Sequence, residues 1–279
     1  MSELISVDET DRALKAKHRA MWALGDYPAV ASEVIPDLGA TLVEACGVRP
    51  GDRVLDIAAG SGNVAIPAAL AGAQVVASDL TPELLEAGRR ASARRGAELE
   101  WCQADAEELP FADGEFDAVL SCVGIMFAPH HQAAADEMLR VCRPGGTLGV
   151  ISWTPEGFIG QMFAAMKPYV SPPPGTQPPP LWGRPEHVRA LLGDRITDVT
   201  ADRRTVRIDR FPTPEAFRDF FKSHYGPTIA AYRGLADDPD RVAALDEDLA
   251  ALARRHTAGT GSSSMDWEYL LFTARRTGG

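Results

Sequence analysis

Ten residues, Val54-Leu55-Asp56-Ile57-Ala58-Ala59-Gly60-Ser61-Gly62-Asn63, limit what this chain can become more than any other stretch. Val54, Leu55 and Ile57 form a short apolar run after the turn Pro50-Gly51-Asp52, the pattern of a strand buried on both faces, and the small residues that follow break it. Asn63 to Ala71 is then rich in Ala and Leu, so the order is strand, glycine loop, helix. That order lets backbone N–H groups approach a ligand, and Gly60 and Gly62 permit close approach because they lack a Cβ. A tight turn between strand and helix looks the same when the loop is taken alone. The next strand, Gln74 to Ser78, ends in Asp79, about where a Rossmann-type unit sets an acid on a ribose. Loop and acid together form a nucleoside-binding signature.

The rest of the composition narrows the ligand. The chain has 279 residues, 45% of them apolar, which is ample for a full core. Its formal charge of -11 repels a nucleic-acid backbone, and Arg89-Arg90, Arg94-Arg95 and Arg203-Arg204 are interleaved with acids or fall on solvated faces. Cys46, Cys102, Cys122 and Cys142 are scattered without a Cys-x-x-Cys pair, so neither a zinc site nor a disulfide framework is expected. No run of 18 apolar residues and no apolar leader segment appears, which fits a cytoplasmic protein that spans no membrane.

Ahead of the glycine loop, Asp11 to Trp22 reads as a helix, and Pro28 to Cys46 as a second one broken near Pro36. Both lie outside the nucleotide unit and suit a lid, with Trp22 and Tyr27 flanking Gly25-Asp26 so that they can close over a ligand or simply pack between helices and sheet. After Asp79, Thr81 is placed as an N-cap, Pro82 as the first helical residue, and the helix stops at Gly96. Leu99 to Gln103 is a third strand followed by Ala104-Asp105-Ala106-Glu107, Asp117 to Cys122 a fourth, Pro129 to Val141 a helix, Arg143-Pro144-Gly145-Gly146 a turn and Thr147 to Trp153 a fifth strand. This alternation predicts a parallel sheet with right-handed crossovers.

These motifs resemble those of the class I S-adenosylmethionine (SAM)-dependent methyltransferases. The resemblance covers about residues 50 to 153. It rests on Val54 to Gly62, Asp79, Ala104-Asp105-Ala106-Glu107-Glu108-Leu109-Pro110-Phe111, Phe116-Asp117, and Glu137 through Arg140-Val141 to Arg143-Pro144-Gly145-Gly146. The last series is similar to the small-molecule branch that includes ubiquinone and menaquinone methyltransferases. The resemblance implies a Rossmann-like α/β fold: a seven-stranded, mostly parallel sheet with the last strand antiparallel, and a helical cap over the substrate. It implies that Asp56 and the backbone from Gly60 to Gly62 hold the methionine end of SAM, that Asp79 takes the ribose hydroxyls, and that Asp105 meets the adenine amino group with Leu80 and Ala106 against the ring. Tyr27, Ala58 and Ser121 complete the expected cofactor set. Two positions depart from the family pattern: Ala58 stands where the first glycine is usual, and Met126-Phe127 where many relatives carry histidines.

Beyond Trp153, Pro155 to Pro185 carries Pro172-Pro173-Pro174 and Pro178-Pro179-Pro180 and reads as an extended insertion, either a solvent loop or a wall of the substrate pocket. Glu186 to Leu192, Pro214 to Tyr225 and Asp240 to His256 read as helices, Val199 to Ile208 as a sixth strand, Thr257 to Ser264 as a Gly/Ser link and Trp267 to Thr273 as the final strand. The expected division is a helical lid over 1–48, a SAM-binding core over 49–153, an insertion and cap over 154–264, and a closing strand over 265–279. The lid and the proline-rich insertion offer surfaces for a homodimer.

Methyl transfer from a sulfonium is an in-line displacement, so alignment and water exclusion are the first requirements. If a base assists, His130, His131 and His224 are the candidates, His130 and His224 foremost; capping or solvent exposure is the alternative for His130 and His131, and His224, beside Tyr225 in the expected cap, is equally open. Ser121-Cys122-Val123-Gly124 offers no carboxylate cluster for a metal-dependent reaction, and Cys122 reads as a small buried residue rather than a nucleophile. The apolar run Val123 to Phe127, with Trp153 and Phe158, predicts a small hydrophobic or aromatic acceptor methylated on O, N or C, with a place in secondary metabolism. An NAD-dependent oxidoreductase and a SAM-binding protein without methyl transfer are the competing readings.

Overall fold

The computed structural model describes residues 7–171, 175–257 and 263–278. Seven strands, β1 (Arg53–Ile57), β2 (Gln74–Asp79), β3 (Glu100–Gln103), β4 (Phe116–Cys122), β5 (Cys142–Trp153), β6 (Ile196–Ile208) and β7 (Met265–Arg276), form one sheet in the order β3-β2-β1-β4-β5-β7-β6. β1 to β5 pair in parallel, with Leu55 opposite Val76 on one side and Val119 on the other. β7 runs antiparallel between β5 and β6, so Val150 faces Phe272 and Ala201 faces the same phenylalanine from the far side. This is the Rossmann-like sheet that the motifs imply.

The central strands are continuous apolar runs because both their faces are covered. Leu55, Val119 and Leu120 are fully buried, each contributing about 2 kcal/mol through the apolar area it removes from water. The helices are α1 (Val7–Trp22), α2 (Tyr27–Val34), α3 (Leu38–Ala45), α4 (Ala65–Leu70), α5 (Pro82–Arg95), α6 (His131–Val141), α7 (Phe158–Met166), α8 (Pro185–Leu192), α9 (Pro214–His224), α10 (Gly226–Gly234) and α11 (Pro239–Thr257). α3 packs on α4, β4 and β5, α5 on β2 and β3, and α6 on β4, β5 and α8. The break expected near Pro36 separates α2 from α3. α5 ends where Gly96 turns left-handed at φ 66°, a conformation that carries no Cβ penalty for glycine.

Sequence and structure part in several places. Arg143-Pro144-Gly145-Gly146 is a bulge inside β5, where four residues lie between the pairs Phe116–Cys142 and Ala118–Thr147. Pro155 to Pro185 is not extended throughout: its apolar Phe158–Met166 stretch forms α7, buried through Phe158, Ile159 and Met162. α10 had no sequence signal, being short and starting with Gly226-Pro227. Thr81 stands at the cap of α5, yet its side chain makes no cap hydrogen bond; the Asp79 carboxylate instead accepts the Thr81 N–H. The Pro172–Pro174 run and most of the expected link at 257–264 lie outside the described residues.

Aromatic rings hold α7 and α9 to the sheet. Phe158 of α7 stacks on Trp267 of β7 with centroids 4.9 Å apart, Phe217 of α9 meets both edge-on, and Phe221 packs beside them. Such pairs add about 0.5–1.5 kcal/mol each beyond the area they bury. Among the described residues no helix is long and apolar enough to cross a membrane.

Candidate active site

The carboxyl ends of β1 and β2 build the first half of the site. Asp56, within β1, is buried, and its Oδ2 accepts the Ala65 N–H at 2.9 Å. Asp79, closing β2, accepts the Gly60 N–H on Oδ2 and the Thr81 N–H on Oδ1, both at 2.8 Å. The glycine loop is thereby clamped onto the second strand by the acid that the sequence singled out. Burial pushes the Asp56 carboxyl up to about 8, against the pull of the Ala65 N–H and with the repulsion of Asp79 adding to it. Burial also raises Asp79, although its N–H partners oppose the rise. Among the described residues neither carboxylate has a basic partner.

Two residues beside these acids hold strained backbone. Ala58 sits at φ 52° and Val123, just past β4, at φ 49°. The left-handed region costs an L-residue about 1–2 kcal/mol and is rarer still for a β-branched one. At Ala58 the conformation explains why the family prefers glycine there. The loops of β1 and β4 meet closely at this point: a Cβ on Gly124 would lie 2.3 Å from the Ala58 carbonyl oxygen.

A cleft with about 720 Å³ of empty space opens over these loops. Tyr27, Ala58, Gly60, Asp79, Leu80, Asp105 and Ala106 line it, so seven of the expected cofactor positions meet at one surface. Asp56, Gly62 and Ser121 stand behind it. A side chain on Gly62 would point into Trp101 and Ile66, and the Ser121 hydroxyl is consumed by donating to the Ile57 carbonyl at 2.7 Å and accepting the Ile125 N–H at 2.9 Å.

α1 borders the cleft through residues that sequence reasoning missed. Lys15 of α1 reaches Asp105 at 2.7 Å and both Asp11 and Glu107 at 2.9 Å. Burial alone lowers the ammonium's pKa, but hydrogen bonds to the three carboxylates overcome that and hold it charged. His18 lines the same wall and is lowered by burial. The Lys15–Asp11 spacing was readable as a helical pair, whereas nothing local announces a partner ninety residues away.

The structure brings none of the candidate histidines to the cleft wall. His130 lies outside beside α1, its Nδ1 2.9 Å from Glu107. His224 stacks on Phe220, and its Nδ1 faces the Phe220 carbonyl and the Ser223 hydroxyl, both at 2.9 Å. His131 is fully buried, with Nδ1 3.0 Å from His187 Nε2, and burial together with that neighbour lowers it to about 4. Cys122 is buried and pushed well above the usual thiol range, so it stays protonated.

A second, narrower cavity adjoins the cleft and shares Tyr27, Val123 and Phe127 with it. Val30, Val34, Ile35, Trp153, Ile159, Phe221, Tyr225 and Trp267 complete its wall. Trp22 holds the aromatic frame at this end, with ring centroids 5.6 Å from Tyr27, 4.7 Å from Phe127 and 5.7 Å from Tyr225.

Two buried carboxylates with no cation of their own suit a ligand that brings positive charge and hydroxyls, and the adjoining Leu80–Ala106 surface suits a flat ring. This donor set fits SAM, whose sulfonium and ammonium groups carry charge beside a ribose and an adenine. Residues 55–150 match the family model described as a methyltransferase domain. An uncharacterised protein of Mycobacterium tuberculosis, Rv1405c, is 52% identical over 267 residues, covering 95% of this chain and 96% of the relative. The ubiquinone/menaquinone biosynthesis C-methyltransferase UbiE of Pseudomonas putida is 43% identical over 117 residues, 40% of this chain and 46% of the enzyme. Among solved structures, YcgJ of Bacillus subtilis superposes with a TM-score of 0.60 at 16% identity over 86% of this chain and 98% of its own, a likeness of fold.

Proposed function

We propose, from the methyltransferase-domain match over residues 55–150 and the likeness to UbiE over 117 residues, that the chain is a class I SAM-dependent methyltransferase and that it methylates a small aromatic or hydrophobic acceptor seated in the narrow cavity beside the cofactor cleft. One observation carries this reading: the cavity that shares Tyr27, Val123 and Phe127 with the cleft is walled almost wholly by aliphatic and aromatic side chains. An apolar wall with few polar groups selects ligands by shape and desolvation. A place in small-molecule biosynthesis goes with this reading.

In this reading Asp56 and the Gly60 backbone receive the methionine end of SAM, Asp79 the ribose hydroxyls and Asp105 the adenine amino group, with Leu80 and Ala106 against the ring. Bound there, SAM supplies an electrophilic methyl group on a positively charged sulfur. α1 and α2 serve as the lid and α9 to α11 as the cap. Their aromatic side chains exclude water and fix the acceptor's approach, which is where a displacement gains most from a protein. With His130 and His224 away from the cleft wall, positioning is the chain's main contribution.

Isothermal titration with SAM, S-adenosylhomocysteine and NAD tests the cofactor assignment. Micromolar binding of both sulfur nucleosides, weakened about tenfold or more in Asp79→Ala through loss of a charge-assisted hydrogen bond, is the expected result. Binding of NAD alone would overturn it. The acceptor class is tested by radiolabelled methyl transfer to a panel of small aromatics against polar amines of similar size.

A further inference from the structure

One face of α1 borders the cofactor cleft: Lys15, His18 and Trp22, spaced three and four residues apart, line it together. Lys15 reaches Asp105 at 2.7 Å, and Trp22 meets Phe127 with ring centroids 4.7 Å apart. His18 therefore lies between the end of the cleft that carries Asp105 and the aromatic frame of the narrow cavity. Among the described residues it is the only imidazole on the cleft wall. Imidazole is the side chain best matched to moving a proton near neutral pH.

The other titratable groups on that wall are Lys15, Tyr27, Asp79 and Asp105, and each is already engaged or holds its own proton. Lys15 is kept charged by its three carboxylates. Burial foremost raises Tyr27, so it stays protonated. Asp79 accepts the Gly60 and Thr81 N–H groups, and Asp105 accepts the Glu107 N–H on Oδ1 at 2.9 Å and Lys15 on Oδ2. His18 differs. Burial lowers it, with Glu107 and the Phe127 backbone opposing the fall and His130 adding to it, so the ring is neutral at pH 7. A neutral imidazole has one N–H, and a ring that gives it to the Phe127 backbone keeps its second nitrogen as a bare acceptor. The charged and titratable groups nearest it are Lys15 and Asp11 on its own helix, Asp105 and Glu107 after β3, and His130 ahead of α6.

From this placement we propose that His18 is the general base of the methyl transfer, taking the proton of an aromatic hydroxyl that enters the cleft un-ionised. This rests on the methyltransferase reading and adds a catalytic residue to it. An amine attacks through a lone pair it already has, so a base on the wall serves an acceptor whose proton must leave. The bare ring nitrogen binds the hydroxyl proton while an oxygen lone pair forms the bond to the methyl carbon. The electron pair of the broken sulfur–carbon bond returns to sulfur, and the imidazolium gives its proton to bulk water after the product leaves. No further reactant is needed.

The test has two arms, both on the full chain. In the first, nitrogen NMR of the labelled histidine rings is recorded with S-adenosylhomocysteine bound and phenol added; the bare His18 nitrogen, assigned by its absence in His18→Gln, should shift as it accepts the phenol's hydrogen bond. In the second, SAM is supplied with phenol or with 4-nitrophenol, the latter above its own midpoint and so already ionised. The rate with phenol should rise with pH along a limb that His18→Gln abolishes, and the variant should lose about a hundredfold or more with phenol but less than threefold with 4-nitrophenol. Calorimetry showing that the variant still binds S-adenosylhomocysteine confirms an intact cleft. If the His18 resonance does not move, if neither phenol accepts a methyl group, or if the variant's loss is equal for both, the inference fails while the methyltransferase reading stands. If neither SAM nor S-adenosylhomocysteine binds the parent chain, the reading beneath it fails instead.

Discussion

Replacing Asp56 by Asn should stabilise the ligand-free protein while removing its affinity for SAM. A buried Asp56 with a pKa near 8 is mostly protonated at pH 7 in the folded chain, whereas in the unfolded chain it ionises near 3.9. The folded state binds more protons than the unfolded state between those values, so this group's stability contribution falls as pH rises from about 4 to about 8. Holding the proton at pH 7 against an ordinary aspartate costs about 4 kcal/mol, and at pH 5.5 about 2 kcal/mol, at 1.36 kcal/mol per unit. Asn avoids that cost and keeps an acceptor for the Ala65 N–H, but its NH2 loses about 1–3 kcal/mol as an unpaired donor. At pH 8 the cost avoided is about 5 kcal/mol, so the net expectation is a gain of about 2–4 kcal/mol there that shrinks toward zero at pH 5.5. Urea unfolding of both ligand-free proteins at the two pH values measures it, with titration of SAM alongside. A variant less stable than the parent at pH 8, a difference that does not change with pH, or undiminished SAM affinity would refute the reasoning.

Three further outcomes are expected. Lys15→Ala unties α1 from Asp105 and Glu107 and should weaken SAM binding about three- to tenfold at low salt by calorimetry, with a smaller loss at high ionic strength because part of the interaction is screened. Ala58→Gly relieves a left-handed alanine and should raise stability by about 1 kcal/mol, or about 2–4 °C in melting temperature, with SAM affinity kept. His131, lowered to about 4 by burial and His187, binds fewer protons folded than unfolded, so its contribution is present above about 6.5 and lost as pH falls toward 4; His131→Gln should remove up to about 3 kcal/mol of that acid sensitivity in urea unfolding.

The sheet was legible because β1, β2 and β4 are mostly apolar, with Asp79 and the glycine loop at strand ends, and because Gly96 and the proline at the start of α5 punctuate it. The bulge at Arg143–Gly146 looked like a turn because Pro-Gly-Gly has turn chemistry, and only pairing with β4 keeps it in a strand. α7 was hidden between prolines that flank it without entering it. For the site, strand-end acids could be read from spacing, whereas Lys15, Val123 and Trp267 reach it from segments far apart in sequence. The unpaired state of the buried Trp267 N–H is a property of the packing around it, invisible in any window of residues.

The placement of β7 between β5 and β6 also bears on how the molecule is made. β7 leaves the ribosome after β5 and β6 and fills the gap between them, one strand in from the sheet's edge, so until it arrives the nascent chain displays two unpaired strand margins, one on β5 and one on β6. Such margins template association with other chains. Trp267, on that same strand, delivers the ring that anchors α7 and α9. α7 and α9 cannot lock onto the sheet before translation reaches it, and a ribosome stalled within the preceding helix would hold β6 without its partner strand.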